Sequence, residues 1–257
     1  MLLPKPANQT FEQAAAVPVA ALTALQALRD RGHLQPGQKV LVNGAAGGVG
    51  TFTVQIARAL GAEVIGVCGT SHTELVASLG ASHVIDYTRQ DFTRLGQRYD
   101  LLVDIAGSRP LSACRRVLTA QGVLVGVGGP NKGRWLGPMS RSIKMLLLSR
   151  FVSQQVTFFL AKPSRDDLAV LRDLLLAGKI SPVIDRTYPL SEAGEAIRYL
   201  EEGHAAGKVV ITVLRRPRRD GHVTALGVDW GLSTLLSAGA VRQDPGRLRG
   251  GEGHLKS

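Results

Sequence analysis

"VLVNGAAGGVG", Val40 to Gly50, is the stretch that decides the fold. Its first residues are aliphatic and largely β-branched, which suits a pleated, buried strand. Five small residues follow Asn43, and then "TFTVQIARALG" (51–61) sets apolar residues at helical spacing and stops at a glycine. Beyond it, "EVIGVC" (63–68) is a second apolar run. Two such strands joined by a helix make one βαβ unit, and that connection forces the strands to be parallel.

Working outward, the same alternation repeats. Upstream, Thr10 and Gln13 stand at capping-box spacing, and "VAALTALQALRDRG" continues as a helix to Gly32 before the turn "QPGQ" (35–38). The reading gives strand 39–43, glycine loop 44–50, helix 51–60 and strand 63–68. Ser71 and Glu74 form a second capping-box pattern ahead of a helix ending at Gly80. Strand 82–87 follows, with Thr88 and Asp91 at capping distance, then strand 100–107, helix 110–118 and strand 122–129. Strands alternating with helices in this way predict an α/β fold of the Rossmann-like, doubly wound, parallel-sheet kind.

Past a Gly- and Pro-rich loop (129–138), Ser164 caps an amphipathic helix over 164–179 with Gly178 at its end. Two further strands, 183–190 and 208–213, flank a helix in "SEAGEAIRYLEEG". From Arg215 the periodicity fades. The expected units are 1–182, the nucleotide-binding domain with its lead-in helix; 183–214, a separate returning segment; and 215–257, an irregular basic tail.

Composition narrows the class. The 257 residues are 44% hydrophobic and 20% charged, as in a globular protein. Runs such as "MLLL" (145–148) fall far short of the ~20 residues of a membrane helix, and no signal-peptide pattern opens the chain. Two distant cysteines, Cys68 and Cys114, offer no zinc spacing and fit a reducing cytoplasm. The net charge is +11, and residues 215–257 hold eight Lys or Arg against four Asp or Glu. Positive charge favours anionic partners. Aromatics are only 5% and do not interleave with the basic residues, which argues against nucleic-acid recognition by stacking.

A parallel sheet offers ligands the carboxyl ends of its strands, where a helix N-terminus presents free N–H groups to an anion. The fingerprint G-x-G-x-x-G maps onto Ala45, Gly47 and Gly50, with alanine in the first place. Gly47 lets backbone approach a diphosphate, and Gly50 lets helix and strand pack closely. An acid about 20 residues on would accept the ribose hydroxyls of NADH. Between Ala45 and Glu74 the only acid is Glu63, at the wrong end of its strand. That absence permits NADPH, with Thr70 and Ser71 as hydroxyl donors. Yet no Lys or Arg lies between Arg58 and Arg89, so no local cation is expected at a 2′-phosphate. NADPH is favoured and NADH stays open.

Several stretches together, "AAAVPVAALTALQAL", "VLVNGAAGGVGTFTVQIARALGAEVIGV", "LGASHVIDY", "SPVIDRTYPLSEA" and "GKVVITV", resemble the medium-chain dehydrogenase/reductase superfamily. The likeness is to its zinc-independent quinone oxidoreductase branch, often labelled NAD(P)-dependent alcohol dehydrogenase, and covers about residues 1–214. It implies hydride transfer from NADPH to a quinone, enone or related carbonyl, without a metal. It implies diphosphate contacts at Ala46, Gly47, Gly48 and Val49, and an adenosine-phosphate site at Thr70, Ser71 and Tyr87. Ser108, Gly126, Val127 and Gly128 would line the ribose and nicotinamide. Asp86 and Asp104 read as structural or capping carboxylates, and no residue is assigned to acid–base catalysis. A homodimer through the sheet edge is implied in the same way.

Relatives carry a barrel-like catalytic domain ahead of the fingerprint, and "LLPKPANQTFEQAAAVP" resembles its end. Residues 183–214 are then expected to be a remnant of that domain, unpartnered, with apolar surface showing. Rival readings are a non-catalytic NADPH-binding fragment and a nucleic-acid binder acting through the tail. Within that tail, "VTALGVDWGLSTLLSAGAVR" (223–242) weakly resembles the opening strand of an insertion-sequence transposase, with Asp229 as its first metal carboxylate. Two-metal chemistry needs further carboxylates that the chain does not supply, so the stretch reads as an appended fragment.

Overall fold

A computed structural model describes residues 3–127, 153–203 and 205–213 in full, and 224–228 as backbone. Strands β1 (Lys39–Asn43), β2 (Glu63–Cys68), β3 (His83–Asp86), β4 (Tyr99–Asp104), β5 (Leu118–Val127) and β6 (Gln155–Phe159) form one parallel sheet. Their order is β3-β2-β1-β4-β5-β6. The order reverses between β1 and β4, and in a doubly wound sheet that reversal opens the crevice where ligands enter. Val40, Leu41 and Val42 of β1 and Leu101, Leu102 and Val103 of β4 are all inaccessible to solvent, because helices cover both faces.

The larger core lies under α2 (Pro18–Gln26), α3 (Gly48–Ala59) and α6 (Arg165–Leu176). The other face packs α5 (Leu111–Arg116) with Ile85, Phe92, Tyr99 and Leu102. Local signals set several boundaries as expected. Ahead of α1 (Phe11–Ala16), the Gln13 N–H donates to Thr10 Oγ1 at 3.1 Å and the Thr10 N–H to Gln13 Oε1 at 2.8 Å. Ser164 accepts from the Asp167 N–H at the start of α6, and Gly178 ends it with φ +66°.

Other boundaries differ. Helix α3 starts at Gly48, inside the predicted loop, since Gly47 (φ −77°, ψ 175°) is already its N-cap. The capping box expected from Ser71 and Glu74 does not form. Residues Thr70–His72 make a 3₁₀ turn and α4 (Thr73–Ser78) follows without a side-chain cap. The turn that takes its place is pinned by Thr70, which donates its hydroxyl to Asp86 across the strand ends. Thr88 is drawn to Asp86 as well, which leaves Asp91 as the N-cap of the 3₁₀ turn Phe92–Arg94. The loop predicted over 129–138, and the end of the strand predicted over 122–129, fall outside the described residues.

After α6, β7 (Ile184–Pro189), α7 (Ala193–Glu201) and β8 (Lys208–Val213) repeat the βαβ pattern. β9 (Thr224–Val228) pairs with β8 antiparallel. Two expectations are corrected here. The returning segment is not left unpartnered: β8 lies between two strands, with Val209 and Ile211 buried against Ala196 and Leu200 of α7. The tail is not wholly irregular either, because its apolar run 224–228 finds in β8 an edge to pair with.

Candidate dinucleotide-binding site

The site is built where β1 turns into α3. Gly44 takes φ +94°, a conformation that favours glycine, and so makes the tight turn one residue before the alanine matched to the fingerprint. Ala45 instead fills the core and lies against Gly66 of β2. Gly50 is demanded by the chain itself. A Cβ there would overlap the Gly44 carbonyl oxygen and come within 2.8 Å of the Ala45 backbone.

Gly47 is different. Its backbone suits any residue, and an added Cβ would meet only the Gly44 oxygen, at 3.7 Å, in ordinary contact. Nothing described in the protein requires glycine at that point. Behind it, the first-turn N–H groups of α3 have no intrahelical acceptor, and no side chain caps them. An uncapped helix start, beside a residue whose missing side chain leaves open space, fits a diphosphate.

The loop floor comes from far along the chain. Gly207 N–H donates to the Ala46 carbonyl at 2.8 Å, and Gly47 and Gly207 form an isolated parallel bridge. Lys208, only 5% exposed, runs its side chain past Gly48, where a Cβ would lie 2.6 Å from Lys208 Cδ. Sequence reasoning placed neither Gly207 nor Lys208 in the site. The pair "GK" (207–208), whose lysine opens β8, was the only signal available.

At the ends of β2 and β3 a second group assembles. Register sets Cys68 beside Asp86, and the Tyr87 N–H continues the ladder to the Cys68 carbonyl at 3.0 Å. Asp86 accepts from Thr70 Oγ1 at 2.6 Å, from the Thr88 hydroxyl at 2.7 Å and from the Thr88 N–H at 2.9 Å. The Thr70 hydroxyl, above all, holds the Asp86 carboxyl below its ordinary range, with Thr88 and Arg89 adding to it. Thr70 thus spends its proton on Asp86 rather than keeping it for a ligand. Ser71 is exposed, and the Tyr87 hydroxyl lies 3.2 Å from where a Gly69 Cβ would be. A cation also reaches this group: Arg89 Nε is 3.5 Å from Asp86 Oδ2. Burial, helped by the Asp86 charge, pushes the Cys68 thiol up to about 11, so it stays protonated.

The third group lies at the ends of β4 and β5. Asn43, buried, donates to Asp104 Oδ1 at 2.8 Å and to Ser108 Oγ at 3.3 Å, and the Gly107 N–H donates to the same Asp104 oxygen. Asp104 is therefore a clamp between two strand ends. Gly126 is glycine because the Phe158 ring of β6 lies over it and leaves no room for a Cβ. Val127 is buried in the main core, and Gly128 lies outside the described residues.

Ala46 to Val49, the Thr70–Ser71–Tyr87 group, and Ser108 with Gly126 and Val127 thus share the carboxyl end of one sheet. A cleft of about 470 Å³ lined by His33, Asp100, Thr119 and Gln155 sits at the opposite, amino end and has no part in this arrangement. Among the described residues no three His, Cys, Asp or Glu side chains gather as a metal site, and no helix is long and apolar enough to cross a membrane.

A family profile described as zinc-binding dehydrogenase matches residues 79–211. The chain is 35% identical over 217 residues to a chloroplast envelope quinone oxidoreductase homolog of Arabidopsis thaliana, covering 80% of this chain and 64% of that protein. It is 36% identical over 231 residues to the mitochondrial NAD(P)H oxidoreductase RTN4IP1 of Mus musculus, covering 82% and 58%. Among solved structures, the quinone oxidoreductase from Coxiella burnetii superposes with a TM-score of 0.71 at 30% identity, covering 81% of this chain and 63% of that one. The chain spans about three fifths of the length of these relatives.

Proposed function

The chain belongs to the medium-chain dehydrogenase/reductase superfamily, and from that premise we propose that it binds a reduced nicotinamide dinucleotide, NADPH ahead of NADH, for hydride transfer to a quinone, enone or related carbonyl. One observation carries this reading: α3 begins without a cap at the sheet's reversal point, beside a Gly47 whose missing side chain serves no described neighbour. The amides of Gly48 and Val49 would hold the diphosphate, with Ala46 and Gly47 setting its approach. Ser71 and Tyr87 would flank the adenosine, and Ser108, Gly126, Val127 and Gly128 the other ribose and the nicotinamide. When bound, the dinucleotide supplies a hydride and its electron pair to the acceptor.

The quinone acceptor is supported by the quinone oxidoreductases among the relatives, and transfer without zinc is part of the same proposal. A cytoplasmic setting and a small-molecule partner belong to the same proposal, as does pairing of two copies along β6, the last strand of the large sheet. Rate is another matter. Transfer needs donor and acceptor carbons held at about 3–3.5 Å, and the described residues build the dinucleotide wall of such a cleft alone.

Calorimetry with NADPH, followed by absorbance of NADPH at saturating benzoquinone, tests both halves. We expect binding with slow turnover. No heat with NADPH or NADH overturns the site, and rapid NADPH oxidation overturns the expectation of slow turnover.

A further inference from the structure

We propose that Arg89 is the residue by which this chain recognises the 2′-phosphate of its carrier, an assignment that rests on the dinucleotide reading above. Asp86 closes β3 beside Cys68 of β2, so it stands at the rim where the adenosine end of a dinucleotide lies in a sheet of this order. A carboxylate at that rim repels a phosphate dianion and suits the free ribose hydroxyls of NADH. Asp86, however, is already occupied. Its Oδ1 takes the Thr88 N–H and hydroxyl, and its Oδ2 takes the Thr70 hydroxyl. Little acceptor capacity is left for a ribose.

Arg89 completes the arrangement. Its Nε approaches the same Oδ2 that accepts from Thr70, so the guanidinium is tethered within a few ångströms of the turn that holds Thr70 and Ser71. The tether uses the inner nitrogen, and the side chain is 75% exposed, which leaves both outer nitrogens to a ligand. A guanidinium presented by that edge matches a phosphate with two parallel donors. Thr70 cannot substitute, because its proton is committed to Asp86. In the linear sequence Arg89 stands 18 residues beyond Ser71 and looks remote. The parallel register of β2 and β3 brings the two together.

The test is calorimetry on the full chain, wild type and Arg89→Gln, with NADPH and NADH. Arg89 is exposed, so the exchange leaves the fold intact. Losing a charged, paired hydrogen bond is expected to weaken NADPH binding by about 10- to 100-fold. NADH binding should stay within about twofold, and Arg89→Lys should fall between. An unchanged NADPH-to-NADH preference in Arg89→Gln overturns the assignment while the site stands. No binding of either carrier by wild type overturns the site and the assignment together.

Discussion

Two glycines three residues apart serve different masters, and substitution separates them. Gly50→Ala drives a methyl into the Gly44 carbonyl, a backbone atom that cannot turn aside. We expect it to lower stability by about 2 kcal/mol or more in urea unfolding. Gly47→Ala meets only one oxygen at ordinary contact distance, so its unfolding midpoint should shift by less than about 0.5 kcal/mol. Its NADPH affinity should nonetheless fall about tenfold or more, a difference of about 1.4 kcal/mol. Equal effects of both changes on stability would remove the reason for assigning Gly47 to a ligand. The fingerprint was legible because glycine spacing reports backbone geometry directly. Thr70 was not: its hydroxyl suits a phosphate on paper, and only the β2–β3 register shows that Asp86 has it.

Between elements, the most instructive contact is the one that locks α2 to α6. Asp167 is buried, and it accepts from Gln26 Nε2 at 2.8 Å and from Arg29 Nη2 at 2.7 Å. Gln26 in turn bonds both backbone groups of Lys162. Burial pushes the Asp167 carboxyl up, but the bonds from Gln26 and Arg29 outweigh it and hold the group below its usual range. A depressed folded-state value stabilises the protein fully above the unfolded value of about 3.9 and ceases to do so as pH falls through the folded value. Asp167→Asn should therefore be less stable than wild type by about 1–2 kcal/mol at pH 6, with the gap narrowing towards pH 2. Chemical unfolding at the two pH values measures it, and a gap that widens in acid contradicts the network. Helix ends with purely local caps, such as Thr10 and Ser164, could be read from spacing. The end at Ser71 could not, because a bond from the neighbouring Thr70 to another strand, Asp86 of β3, fixes a 3₁₀ turn there instead.

Over the whole molecule, the doubly wound parallel sheet was the most legible feature, since alternating strands and helices with right-handed connections leave few topologies. The fate of the returning segment was the least. Residues 183–214 read as an orphan, yet β8 is paired on both sides, and its second partner comes from a stretch that composition marks as foreign. Periodicity reports which face of a strand is apolar and is silent on what pairs with its edge. A chain ended at residue 214 would leave β8 an open edge carrying Val209, Val210 and Ile211. We expect that shortened form to self-associate, visible as an increase in light-scattering mass at concentrations where the full chain is unchanged. A form that stays at its starting mass would mean β9 gives β8 no protection.

The bond from Gly207 to Ala46 also bears on engineering. Transplanting the stretch from Lys39 to Cys68 into a new scaffold would carry every letter of the fingerprint and leave its underside wet. The crossing at Gly207 and Lys208 has to travel with it. In this protein a borrowed motif is whole only when the piece that shores it up from the far end of the chain comes along.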